Sequence, residues 1–180
     1  MQFLKSLFAS NRTDRDAHTL YVHLIEQCRK PVFYMPPYSA PDSMEGRFEV
    51  IVLHLAILDY FLSGIAGTEA LRRSVQELLI KDMDRSLREL GIGDMSIGKQ
   101  MKKVGAGMLG RLNSYETAIL TEDDKKTKEL VASIVDRNME FGPENGSEAF
   151  AAYFCKLLRS VGDINKEEWS VNCGIFAESS

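Results

Sequence analysis

The stretch Val50 to Leu62 most constrains what this chain can become. Val50–Leu53, Leu55–Leu58 and Tyr60–Leu62 are apolar, broken only by His54 and Asp59. Wound as a helix, the run is apolar on nearly every side, and such a helix must be surrounded by others. A membrane span needs about 20 apolar residues, more than this run supplies. The run therefore predicts a central buried helix over about 46–63, inside a bundle. His54 has no cysteine or second histidine at ligand spacing, which predicts a hydrogen-bonded core histidine.

Amphipathic segments supply the surroundings. Leu71, Val75, Leu79, Met83 and Leu87 step by four, with Leu78 and Leu90 alongside, so 68–90 predicts a helix with one apolar stripe. Thr68 suits its N-cap and Gly91 its left-handed C-cap. Asp94 can cap a second helix with the stripe Ile97, Met101, Val104, Met108, Leu112, Tyr115 and Ile119. A helix over 14–30 stops at Pro31. Thr121 with Asp124 has capping-box spacing and opens a helix that ends before Gly142. Ser147 starts another, which Gly162 ends, and Trp169, Val171, Ile175 and Phe176 fold back onto the bundle. Four of the five prolines fall between Pro31 and Pro41, with Phe33, Tyr34 and Tyr38. They predict an extended segment lying on the helices or offering an aromatic strip to a partner. No alternating strand pattern is present. The expectation is all-α, a single compact bundle of six or seven helices with an extended Pro-rich segment between the first two. Its domain spans 14–176, after a loose or amphipathic 1–13 and before a loose 177–180.

Charge and cysteine usage narrow the function classes. A net charge of −4 argues against general nucleic-acid binding. Three cysteines without paired spacing favour a reducing compartment over a disulfide framework. The opening MQFLKSLFAS lacks the apolar core of a secretory signal. Against this acidic background one stretch stands out. From Met95 to Tyr115 no acidic residue occurs, while Lys99, Lys103, Gly107 and Arg111 form one four-residue row beside Lys102, Ala106 and Gly110. This is a cationic ridge broken by small residues, suited to close helix packing.

Motifs for chemistry fail on inspection. Gly93, Gly98 and Lys99 have phosphate-loop spacing, but Gln100 replaces the magnesium-binding hydroxyl and a helical segment precedes. Gly105, Gly107 and Gly110 match a dinucleotide fingerprint without its strand. His18, His23 and His54 have no serine or cysteine in a recognised spacing. No cofactor and no metal is implied.

Several stretches taken together resemble the ubiquinol–cytochrome c chaperone family. They are Pro31-Val-Phe-Tyr34, Pro41-Asp42, Gly46-Arg-Phe-Glu49 leading to Leu53-His54, Asp82-Met-Asp84 with Leu87-Arg-Glu89, Gly91-Ile-Gly-Asp94, Gly98-Lys99, and Gly110-Arg111 before Tyr115. The resemblance covers about 20–120 and departs at Met108-Leu109, where the family often has aromatics. It implies a non-enzymatic assembly factor that holds newly made cytochrome b, or its nascent chain, for ubiquinol–cytochrome c reductase. The family's mitochondrial members act near the ribosome exit with a small partner protein. With no evident mitochondrial presequence, the chain is similar to the bacterial form, in the cytoplasm and peripheral at the inner membrane face. The client-binding candidates are Lys99, Lys102, Lys103, Met108, Arg111 and Tyr115, since lysines suit lipid phosphate or an acidic client loop and methionine adapts to apolar partners. Phe33, Tyr34 and Arg88 are candidates for a second partner. Two alternatives stay open: a small RNA- or nucleotide-binding protein using the 99–111 ridge, and an enzyme built around His54.

Overall fold

The structure is a computed structural model that describes residues 2–121, 123–173 and 175–176, with side chains from Arg12 onward except that of Cys173. Six α-helices run in order: α1 Gln2–Cys28, α2 Met44–Ser63, α3 Glu69–Glu89, α4 Asp94–Ile119, α5 Asp124–Asn138 and α6 Ser147–Gly162. Short 3-10 turns cover Pro31–Tyr34 and Val171–Cys173, and no strand occurs among the described residues. The fold is all-α, as the periodicities predict. α1 is longer than the 14–30 pattern suggests and reaches back to Gln2. Whether its first turns present an amphipathic face, and how 177–180 behave, lie outside the described residues.

α2 is the hub. It packs against α1, α3, α4 and α6, while α1 lies along α3, α4 touches α5, and α5 pairs closely with α6. Its residues Val50, Val52, Leu53, Ile57, Phe61 and Leu62 are almost completely buried. Burying one such side chain contributes about 2 kcal/mol, so a helix apolar all round is stable only when enclosed.

Local signals set the ends of the helices, though not always through the residues the spacing favours. α2 is capped by Ser43, whose hydroxyl accepts from the Gly46 N–H, and the neighbouring Asp42 pairs with Arg47. Asp123, not Thr121, caps α5 and accepts from the Lys126 N–H. Thr68 precedes α3 but turns its hydroxyl back to donate to the Leu62 and Ile65 carbonyls. The α3 end follows expectation: Gly91 has φ +81, its N–H donates to Arg88 and that of Ile92 to Leu87, which is the Schellman arrangement. The Pro-rich segment lies where expected between α1 and α2, but begins as a 3-10 turn rather than extended. Its Ala40 N–H donates to the Phe33 carbonyl, folding the segment back on itself. The start of α6 presses against it so closely that a Cβ on Gly146 would collide with the Tyr38 carbonyl.

One polar chain crosses the core. The Gln27 amide donates to the Tyr153 hydroxyl (3.0 Å), which lies 2.8 Å from His54 Nε2, and His54 Nδ1 lies 2.7 Å from the Val50 carbonyl. The carbonyl can only accept, so Nδ1 carries the proton and Nε2 accepts from Tyr153. Phe33, Tyr153 and Phe176 ring this imidazole, and Trp169 sits edge-on to Phe61. His54 is thus the hydrogen-bonded core histidine expected. Burial pushes its pKa down to about 4, below the ordinary 6.5.

A pH dependence follows. The folded state holds His54 neutral while the unfolded state protonates it, so stability is complete above the ordinary 6.5 and falls as pH drops toward about 4. The loss is expected to reach about 1.4 kcal/mol per pH unit within that window. Urea unfolding between pH 7.5 and 5 measures it, and His54→Gln is expected to remove this part of the slope.

Candidate functional site

α3 and α4 form a helical hairpin whose turn is held by Arg88. Its guanidinium donates to Asp84 and to Asp94, each at 2.7 Å. Asp94 is therefore the first helical residue and a partner of Arg88, while Gly93 occupies the N-cap. All three side chains reach solvent, so the triad shapes the turn and adds little stability.

Below the turn, the two sides of α4 separate sharply. Ile97, Met108, Tyr115, Ala118 and Ile119 are buried. Met108 is 4% exposed and Tyr115 1%, the latter stacked on Phe154. Burial holds the Tyr115 phenol well above its usual pKa. Neither side chain lies on the surface with the lysines, because both belong to the apolar stripe that joins α4 to the core. Arg111 also turns inward. Its Nη2 pairs with Glu49 Oε1, a carboxylate buried in α2, and its guanidinium stands over the Phe48 ring at 5.6 Å. Burial pushes the Glu49 carboxyl up in pKa, and Arg111 opposes that shift. The stretches Gly46–Glu49 and Gly110-Arg111, distant in sequence, thus meet at one point.

The opposite side of α4 is open. Met95, Gly98, Lys99, Lys102, Lys103, Ala106, Leu109, Gly110, Asn113 and Thr117 are all exposed. At 1.5 Å per residue this face runs for about 33 Å. Among the described residues no ion pair engages Lys99, Lys102 or Lys103. A Cβ on Gly98, Gly105 or Gly110 would meet nothing within 4 Å, so these glycines do not serve the close packing expected of them. Met95 is wholly exposed and Leu109 is 53% exposed, giving the lysine face apolar footholds. The phosphate-loop spacing falls on the α4 N-cap and first turns, after helix α3, so the strand–loop–helix cradle is absent there.

A second surface was not legible from spacing. A groove of about 870 Å³ opens between the end of α1, the start of α2 and the end of α3. Ile25, Met35, Met44, Phe48, Ile51 and Met83 line it, and its methionines come from three separate segments. Tyr34 forms part of the wall, its hydroxyl donating to the Cys28 carbonyl at 2.9 Å. Phe33 does not reach the groove, being buried against Phe150 and Tyr153. Arg88 stays in its turn triad near the groove's end at Glu89 and Leu90. The only advance signal was the cluster of prolines and aromatics around Tyr34.

His54 is sealed in the core, and no group of acids, cysteines and histidines among the described residues is arranged to hold a metal. No helix among the described residues is long and apolar enough to cross a membrane. The buried pair gives a stability test. Arg111→Ala leaves Glu49 buried and unpaired and is expected to cost about 3 kcal/mol in urea unfolding. Lys103→Ala on the open face is expected to stay within about 0.5 kcal/mol.

Comparison with known proteins gives the same family as the sequence motifs. The family model for the ubiquinol-cytochrome C chaperone matches residues 38–172. It takes in α2 to α6, extending past the 20–120 stretch carried by the motifs while leaving out 20–37. The crystal structure of the Cbp3 homolog from Brucella abortus is similar over 96% of this chain and 98% of that one, with 26% identity and a TM-score of 0.75. No curated protein matches.

Proposed function

The chain belongs to the ubiquinol–cytochrome c chaperone family, and from that premise we propose that it captures newly made cytochrome b on the open face of α4. It assists assembly of ubiquinol–cytochrome c reductase without catalysing a reaction. The single observation that carries this reading is the separation of α4 into a buried side and an uncovered one. The uncovered side combines three lysines, free of ion pairs among the described residues, with Met95 and Leu109. Its glycines and alanine keep it low, so a client helix can approach the backbone closely. The lysines would meet acidic client loops or lipid phosphate, in keeping with a protein that works in the cytoplasm, peripheral at the inner membrane face.

Three of the candidate residues take a different role. Met108 and Tyr115 hold α4 in place, and Arg111 anchors it to Glu49, so all three support the face from behind. The groove beside Tyr34 is the seat for a second apolar partner, such as a small partner protein. Its three methionines suit a surface that adapts to varied side chains.

The test is a charge reversal restricted to the open face. Lys99→Glu, Lys102→Glu and Lys103→Glu together are expected to leave the melting temperature unchanged and to reduce co-purification of cytochrome b at least tenfold. Undiminished co-purification by the folded variant contradicts the reading. RNA binding that saturates at low salt and weakens steeply as salt rises would favour the nucleic-acid alternative instead.

A further inference from the structure

The two most exposed large apolar side chains among the described residues flank the α3–α4 turn. Met95 is wholly exposed and Leu90 is 68% exposed. Leu90 closes α3, and Met95 is the second residue of α4. Met35, also exposed, lies toward the same end of the molecule, since it and Leu90 both border the groove beside Tyr34. Beneath the turn, Leu87 and Ile97 are buried but stand apart from the main hydrophobic core, so this end of the hairpin reaches beyond it.

Cations stand directly behind this tip. Lys99, Lys102 and Lys103 follow Met95 at spacings of four, seven and eight, which puts all four on one side of α4. Along the axis the lysines lie about 6 to 12 Å from Met95. Asp84, Glu89 and Asp94 also lie near the turn, but Arg88 bonds two of them. Between 84 and 103 five basic residues outnumber three acidic ones, in a chain of net charge −4. This end is therefore polarised to meet an anionic surface.

Shape selects which anionic surface. A folded partner needs a contiguous apolar patch, whereas Gly91, Gly93 and Asp94 separate Leu90 from Met95, and nothing crowds either glycine. A fluid interface accepts such a tip without matching its outline. Apolar side chains enter the acyl boundary while lysine stems reach back to the headgroups.

We propose that the α3–α4 turn docks on a bilayer containing anionic phospholipid, Leu90 and Met95 entering the interface and Lys99, Lys102 and Lys103 meeting lipid phosphate. The inference rests on the proposed reading of the open face and divides it. The turn end holds lipid, and the stretch around Ala106 and Leu109 is left for the client.

The test uses the full chain and no cytochrome b, so its failure leaves client capture standing. Co-sedimentation compares vesicles of phosphatidylcholine alone with vesicles that also carry phosphatidylglycerol. Binding at least tenfold tighter to the anionic vesicles is expected, weakening as salt rises. Leu90→Ser with Met95→Ser is expected to weaken it at least fivefold with an unchanged melting temperature. Position is read separately, because residues 1–10 could also bring the chain to lipid. The fluorescence of Met95→Trp is expected to shift to the blue on anionic vesicles and to be quenched by lipids brominated in their acyl chains. Asn113→Trp, about 27 Å along the same helix, is expected to show neither change. Equal binding to both vesicles, full binding by the double serine variant, or quenching at 113 without quenching at 95 overturns the proposal.

Discussion

The ion pair between Arg111 and Glu49 fixes how α4 is rotated about its own axis. Arg111, Met108 and Tyr115 occupy neighbouring sectors of the helix, and all three point toward α2 and the core. Once they are set, Lys99, Lys102 and Lys103 fall on the other side, because successive residues turn by about 100°. A buried pair of this kind often contributes little net stability compared with an apolar replacement. Its value here is specific placement. An apolar residue at 111 would fill space without distinguishing this rotation from one a few tens of degrees away.

The same economy governs the centre. α2 is apolar nearly all round, so packing alone would tolerate several arrangements of its neighbours. His54 narrows them. Its two ring nitrogens require a carbonyl on one side and a hydroxyl on the other, which ties α2 to α6 through Tyr153 and to α1 through Gln27. Glu49 at one end and His54 in the middle give an otherwise greasy helix two directional contacts. The open face of α4 therefore rests on a core whose polar groups are few and mostly paired.

Much of this was legible in the sequence, for physical reasons that differ by element. Long amphipathic helices announce themselves by period, and Gly91 marked its turn because only a residue free of Cβ strain suits φ +81. Cap residues were harder. Asp123 lies two residues from Thr121, which offers similar chemistry, and only the chain path decides between them. Met108 and Tyr115 are visible both as stripe residues and as companions of the lysines, and the fold buries them with the stripe. Arg111 resembled its neighbouring lysines until the fold brought Glu49 to it from 62 residues earlier. The groove with Met35, Met44 and Met83 left no trace beyond the prolines and aromatics around Tyr34, because its walls are contributed by four separate segments. Gly98, Gly105 and Gly110 of α4 looked like packing residues and prove to face open space, while Gly107 lies against the Arg111 side chain.

The central claim is that α4 meets its client with the side turned away from α2. Site-specific photo-crosslinking in cells tests it most directly. A benzophenone side chain placed at Ala106, in the middle of the open face, is expected to form an adduct with cytochrome b. The same probe at Lys156, exposed on α6, is expected to form none. A cytochrome b adduct from position 156 with none from position 106 would contradict the account.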